Sequence, residues 1–265
     1  MEKRTHFLHK EDDSLFTLQL KLHDYGLTKV TFRNGSYVSR TCWRIYWMPE
    51  GGAAINADNE TFLAKPNNVI LIPPYTPIRH ILTNPGPHLW CHFALGQPFD
   101  SLKGKVFSTS LTPAMKCLSE ELRNTDQSET FYRFLLSSWV TQAAAQISPT
   151  DWPSSAKDLR IREILHHINF DPSSQDLNNA QLAKRIAMSR NAFLRLFSQQ
   201  MGIPPGAYVL QRRLDKAGLL LQTSTKSIDE ITEDCGFASR SYFSRVFKKK
   251  VGFSPGEYRK LGGNT

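Results

Sequence analysis

Two stretches of the chain, set fifty residues apart, concentrate side chains that bond flat heterocycles directionally. The first holds Arg190, Asn191, Leu194 and Arg195; the second holds Arg240, Ser241, Ser244 and Arg245. A guanidinium fork matches the O6 and N7 of guanine, a carboxamide matches adenine, and an apolar group meets the thymine methyl. Ser189 and Ser239 stand just before the two stretches, and Lys248, Lys249 and Lys250 close the second. Hydroxyls and ammonium groups at such places suit phosphates, which carry affinity rather than sequence information. The implied partner is double-stranded DNA. For one such stretch, a merely solvated polar face explains the residues as well.

Repetition weighs against that plainer explanation. Residues 189–208 fall on 239–258 with nine of twenty positions identical, among them Phe193/Phe243, Phe197/Phe247, Gly202/Gly252, Pro205/Pro255 and Tyr208/Tyr258. Repetition at one fixed offset marks two copies of a supersecondary unit. Upstream of the turn the offset becomes 49, with Leu182 opposite Ile231. Each copy is predicted to be helix, turn, helix. Ser227 with Glu230 forms a capping box, Gly236 supplies the left-handed turn, Ser239 caps the next helix, and Gly252 with Pro255 ends it. In the first copy Asn178 and Gln181 cap, Ala187 stands at the turn and Ser189 caps. At 100° per residue the phenylalanines share one helix face, and the arginines with their neighbours share the other.

The elements that position these units come next. The charge of +9 is lopsided: residues 1–150 carry 15 Lys/Arg against 13 Asp/Glu, and residues 151–265 carry 18 against 11. The basic excess on the repeat fits a polyanionic partner. The runs "RIYWM", "NVILI" and "HLWCHFAL" are β-branched and aromatic, bounded by turn formers, and predict an antiparallel sandwich or barrel before residue 110. "PAMKCLSEEL" and "SETFYRFLLSSWVTQAAAQI" are helical, with Phe131, Leu135 and Trp139 on one stripe. "SPTDWPSS" is a linker. No apolar run reaches membrane-spanning length, the N-terminus has no secretory pattern, and four dispersed cysteines fit reduced thiols in a cytoplasm.

"LAKRIAMSRNAFLRLFSQQMGIPPGAY", "RRLDKAGLLL" and "SIDEITEDCGFASRSYFSRVFKKKVGFSPGEYR" together resemble the AraC/XylS family of bacterial transcription regulators, over about residues 158–260. The resemblance implies two helix-turn-helix motifs joined by a long helix, with Arg190, Asn191, Leu194 and Arg195 in one major groove. Arg240, Ser241, Ser244 and Arg245 would enter the next. Thr232 and Asn179 depart from the family's usual alanine and hydrophobic residue. Gly218, inside the joining helix, costs up to about 1 kcal/mol relative to alanine.

"WRIYWMPEGGAAINADNETFLAKPNNVILIPPYTPIRH" with "HLWCHFAL" is similar to the cupin-like sensor that such regulators carry in front. Strand alternation separates Arg44, Tyr46 and Met48 from Trp43, Ile45 and Trp47, and His88, Trp90 and His92 from Leu89, Cys91, Phe93 and Leu95. The resemblance implies a small-molecule effector, such as a sugar, held by Arg44, Tyr46, His80, Trp90 and His92. Core filling is the plainer role for these aromatics.

The fold class is therefore α+β. A cupin-like β-barrel spans 1–110, a helical dimerisation or packing segment 111–150, a linker 151–157, and a DNA-binding domain with two helix-turn-helix motifs 158–265. The expected molecule is a non-enzymatic, ligand-responsive activator of carbohydrate-utilisation genes, with no cofactor. Its expected partners are DNA, RNA polymerase and a second copy of itself. The alternative is a cupin-type metalloenzyme with an accessory DNA-binding domain. "MPEGGAAINADNETF" contains no histidine for the first strand pair of such a metal site, so no metal is expected. The Phe131, Leu135, Trp139 stripe serves either a dimer seam or packing on its own barrel.

Overall fold

The computed structural model describes residues 18–29, 37–96, 98–102, 104–124, 128–152 and 158–262. Most of the linker expected at 151–157 lies outside the described residues. Among the described residues the N-terminal half has eight strands: β1 Lys21–Lys29, β2 Trp43–Trp47, β3 Ala53–Ala57, β4 Glu60–Ala64, β5 Asn68–Ile72, β6 Arg79–Leu82, β7 Pro87–Ala94 and β8 Phe107–Ser110. All named pairings are antiparallel. One sheet runs β1-β7-β2-β5-β8 and the other β4-β3-β6. Among the described residues the expected barrel has two sheets that face each other across the cluster of Tyr46, Ile55 and Trp90.

Strand alternation sorts the side chains as the sequence predicts. One face of the larger sheet carries Trp43, Ile45, Trp47, Leu89, Cys91 and Phe93 into a core shared with α1 (Pro113–Asn124) and α2 (Glu129–Ala144). There Trp139 is fully buried, and its indole N–H donates to Ser119 Oγ at 2.9 Å. The Phe131–Leu135–Trp139 stripe is therefore split. Trp139 and half-buried Leu135 pack on their own sheet, while Phe131 stays exposed beside Phe134. The opposite face, between the sheets, gathers Tyr46, Ile70, Ile72 and Trp90 against Ile55 and Phe62.

The C-terminal half is helical: α3 Leu159–Phe170, α4 Asn179–Arg185, α5 Arg190–Met201, α6 Pro205–Thr223, α7 Ile228–Asp234, α8 Arg240–Val251 and α9 Pro255–Gly262. The 19 residues of α6 span about 28 Å at 1.5 Å per residue. Two cores flank it. One is built on Phe193, Phe197 and Tyr208, the other on Phe243, Phe247 and Tyr258.

The two halves meet along α6 and α9. The Tyr75 hydroxyl donates to Asp215 Oδ1 at 2.6 Å, and Asp215 also pairs with Arg212 at 2.7 Å. The Thr41 N–H donates to the Tyr258 hydroxyl at 3.3 Å. Gly218 faces Thr41 so closely that a Cβ would lie 2.1 Å from its Oγ1. The glycine that seemed a helix defect is a contact point.

Burial of the sheet interior has a pH consequence. Burial holds the His88 imidazole down to about 3. Burial, then Arg44 and His88, holds His80 to about 3. His92 is pushed well below the ordinary range by burial and by Arg40 and Arg44. These imidazoles are neutral in the fold and titrate near 6.5 when unfolded, so stability is fullest above pH 6.5 and falls as pH drops towards the folded values. Buried Asp100, raised to about 6, has the opposite sign and offsets part of the loss. Urea midpoints should fall between pH 7.5 and 5, with His88 alone contributing about 2 kcal/mol. His88→Gln should flatten the dependence by about one proton; an unchanged slope would contradict the buried neutral imidazole.

Candidate nucleic-acid interface

Local chemistry shapes both units alike. Asn178 Oδ1 accepts the Ala180 and Gln181 N–H groups and starts α4. The Gln181 side chain bonds the Asn178 side chain, so it caps less directly than Glu230 does. Ser227 and Glu230 form the full reciprocal capping box at α7. After each short helix one residue turns left-handed: Ala187 at φ 51° in the first unit and Gly236 at φ 73° in the second. Ser189 and Ser239 then cap α5 and α8 by accepting the Ala192 and Tyr242 N–H groups at 3.3 Å each. Gly202 and Gly252 end them in the left-handed conformation, and Pro205 and Pro255 open the next helices.

What holds α5 and α8 in place is a doubled aromatic stack. Phe193 meets Phe197 at 5.7 Å and Phe197 meets Tyr208 at 5.8 Å, each edge-on. In the second unit Phe243 meets Phe247 at 5.5 Å and Phe247 meets Tyr258 at 5.2 Å. With these faces buried, the opposite faces are turned out.

Arg190, Asn191, Arg195, Arg240, Ser241 and Arg245 are exposed, and so are Ser189, Ser239, Lys248, Lys249 and Lys250. Ser244 is half-buried. Leu194 differs from the expected exposed leucine: it is half-buried and packs against the core of the first unit. Two of the arginines are steadied from within their own unit. Arg240 pairs with Asp229 at 2.8 Å, and the Arg245 guanidinium lies 5.6 Å from the Tyr242 ring centre. Neither partner was assigned a role from the sequence: Asp229 lies eleven residues before Arg240, on the other side of the turn, whereas Tyr242 stands one helical turn before Arg245 and was legible from helix spacing.

The other predicted set comes together inside the sheets. Arg44 pairs in register with His92, and Tyr46 with Trp90. Tyr46 contacts His80 and His88 at ring distances of 5.5 and 5.0 Å, and Trp90 contacts His92 at 5.1 Å. Arg44, Tyr46, Trp90 and His92 are buried and His80 is half-buried. No group of three or more His, Cys, Asp and Glu among the described residues is disposed to hold a metal ion.

Residues 182–261 match the family model described as "Helix-turn-helix domain". The "Arabinose operon regulatory protein" of Salmonella typhimurium is 28% identical over 228 residues, covering 79% of this chain and 80% of that protein. The HTH-type transcriptional regulator MtrA of Neisseria gonorrhoeae is 34% identical over 107 residues, covering 40% of this chain and 35% of that protein. The chain carries a helix-turn-helix domain, and these relatives are named as transcription regulators. Among solved structures, ToxT from Vibrio cholerae superposes with a TM-score of 0.57 at 16% identity, over 94% of this chain and all of the ToxT chain. That likeness concerns the fold: a β-sheet half followed by a helical half. The relatives are named as regulators, not as enzymes such as the metalloenzyme weighed as the alternative. Among the described residues, no helix is long and apolar enough to cross a membrane.

The two kinds of expected contact, to bases and to phosphates, call for different binding effects. Arg245→Ala should weaken binding of a selected site by about 1–3 kcal/mol and relax preference at one base position. Lys249→Ala should weaken specific and random DNA alike and flatten the salt dependence. Fluorescence anisotropy across a salt series measures both; equal losses on both DNAs for both variants would refute the division.

Proposed function

We propose that the chain is a ligand-responsive activator that reads two successive major grooves with α5 and α8. The observation that carries this reading is the repeated burial pattern. Both helices hide their phenylalanines and turn out arginines at the same repeat positions. The roughly 28 Å of α6 is commensurate with one turn of duplex, ~34 Å. Arg190, Asn191, Arg195, Arg240, Ser241, Ser244 and Arg245 read bases, with Leu194 a lesser apolar contact. Ser189, Ser239 and the three lysines hold phosphates.

Residues 1–110 are the sensor, 111–150 the pairing segment, 151–157 the linker and 158–265 the DNA reader. Arg44, Tyr46, His80, Trp90 and His92 face the space between the sheets, and an aromatic, hydrogen-bonding lining suits a polyhydroxylated effector. The names of the relatives, with the arabinose operon among them, favour a sugar and carbohydrate-utilisation genes. The exposed Phe131 and Phe134 of α2 supply the apolar surface for a homodimer. The regulator works in the cytoplasm, where effector binding alters its arrangement on DNA and its contact with RNA polymerase.

A second effector location has its own observation. A cleft of about 360 Å³ opens between the two halves, lined by Lys21, His23, Phe170 and Lys216 among others. ToxT has been solved bound to an unsaturated fatty acid. The Lys21 ammonium and the exposed Phe170 ring suit an amphiphilic acid, on a lining that also holds Asp100, Asp171 and Asp215.

Selection of binding sites from random duplex should yield two conserved blocks about 10 base pairs apart. Arg195→Ala should erase preference in one block and Arg245→Ala in the other. A pool with no consensus would overturn the reading. Thermal shifts with L-arabinose and with oleate, compared between the wild type and variants at Trp90 and Lys21, separate the two effector sites.

A further inference from the structure

The two units are near copies, but their buried tyrosines are satisfied differently. Tyr208 is 1% exposed; its hydroxyl donates to Asn169 Oδ1 of α3 at 3.0 Å, and the Arg212 guanidinium lies 5.3 Å from its ring centre. Tyr258, its counterpart fifty residues on, is fully buried. Its hydroxyl lies 3.3 Å from the Thr41 N–H and 3.4 Å from Thr41 Oγ1, and the Arg40 guanidinium lies 5.3 Å from its ring centre. The same pair of services, a polar partner and a cation over the ring, comes from within the first unit and from the β-sheet half in the second.

The repeat accounts for the difference. Upstream of the turns the offset is 49, so the position matching Asn169 is Gly218. The matching caps Asn178 and Ser227 keep the same offset. In α6, then, the residue that would reach the tyrosine hydroxyl has no side chain. Thr41 occupies that space, 2.1 Å from where a Cβ would be. A buried tyrosine hydroxyl needs a partner.

The segment that carries Thr41 is tied to the sheet interior. Val38 and Ile78 exchange backbone hydrogen bonds at 2.7 and 3.0 Å, and the Tyr75 N–H donates to Arg40 O at 2.7 Å. Arg44, 1% exposed, donates Nη2 to Thr76 O at 2.6 Å and Nη1 to Val38 O at 3.3 Å. Its Nε has no hydrogen-bond partner among the described residues. Tyr75, next to Thr76, holds Asp215 of α6.

We propose that the sensor half completes the second reading unit by inserting Thr41 into the slot left by Gly218, and that Arg44 sets this insertion from inside the sheets. An effector that draws the Arg44 guanidinium away from Val38 O and Thr76 O frees the 37–42 segment and leaves Tyr258 without its partner. The first unit, complete by itself, is untouched. This rests on the β-sheet half being the sensor. The effect on DNA is then selective: α8 loosens while α5 does not.

Hydrogen exchange by mass spectrometry on the full chain, without DNA or effector, tests the insertion directly. Gly218→Asn supplies within α6 the side chain that Asn169 supplies in α3. Exchange should rise several-fold in residues 37–42 while α8 and α9 keep their protection. Arg44→Met should speed exchange several-fold in both 37–42 and 255–260, with α4 and α5 unchanged. Wild-type protection of 37–42 in Gly218→Asn, or of 255–260 in Arg44→Met, overturns the proposal. Should either variant fail to fold, Thr41→Pro decides, since it removes the N–H that the Tyr258 hydroxyl accepts and the Thr41 hydroxyl beside it. Faster exchange in α9 but not α5 supports insertion, and equal exchange refutes it. Site selection from random duplex reports separately on DNA reading, so the two failures are distinguishable.

Discussion

The helical half depends on one constraint: α5 and α8 are each held by two phenylalanines a turn apart in edge-on contact, the second of them edge-on to a tyrosine from the following helix. Phe193, Phe197 and Tyr208 make the stack in one unit, and Phe243, Phe247 and Tyr258 in the other. A helix carrying three lysines in its last turn has little reason to stay put by charge alone. Burying two aromatic rings contributes several kcal/mol of apolar transfer, and edge-on contacts add to it. That energy fixes the rotation of the helix about its own axis, and so determines which residues face outward. Specificity and core packing are two sides of one cylinder.

The β-sheet half shows the same economy across a sheet. Alternation sends Trp43, Ile45 and Trp47 to the helices α1 and α2, and Arg44 and Tyr46 to the space between the sheets. Four histidines, His23, His80, His88 and His92, sit below their ordinary titration range, mainly through burial. Neutral imidazoles donate and accept without the desolvation penalty of a charge. Arg44 is different in kind, because it stays buried as a cation on two backbone carbonyls.

Much of this was legible in the sequence, and for stated reasons. The repeat, the caps and the glycine stops are local chemistry written in adjacent residues, and α5, α8 and the capping box of α7 lie where those signals put them. Strand faces followed from a period of two. Leu194 escaped because helix periodicity alone does not say how far a neighbouring core extends. Trp139 stayed between two readings, dimer seam or packing on its own barrel, because an apolar stripe does not name the surface that covers it. Gly218 read as a cost, since its purpose lies in Thr41, 177 positions away along the chain. Contacts between halves leave no periodic trace. What they leave is an anomaly, and a glycine inside an otherwise regular helix was that anomaly.

The two turns also differ in a way that bears on how each unit can change over time. Ala187 adopts the left-handed turn while carrying a methyl group. Gly236 cannot follow it, because a Cβ there would sit 2.4 Å from the Ser173 carbonyl oxygen, in the segment between α3 and α4. The hinge of the second motif is thus pressed against the backbone of the first. Lys216 fastens the same seam by bonding both Ser173 Oγ and the Asp234 carbonyl. Drift in the loop after α3 is therefore felt by the distant motif, whereas the nearer turn has latitude to vary. The two motifs are therefore fastened at a common joint and do not hang as two beads on a string.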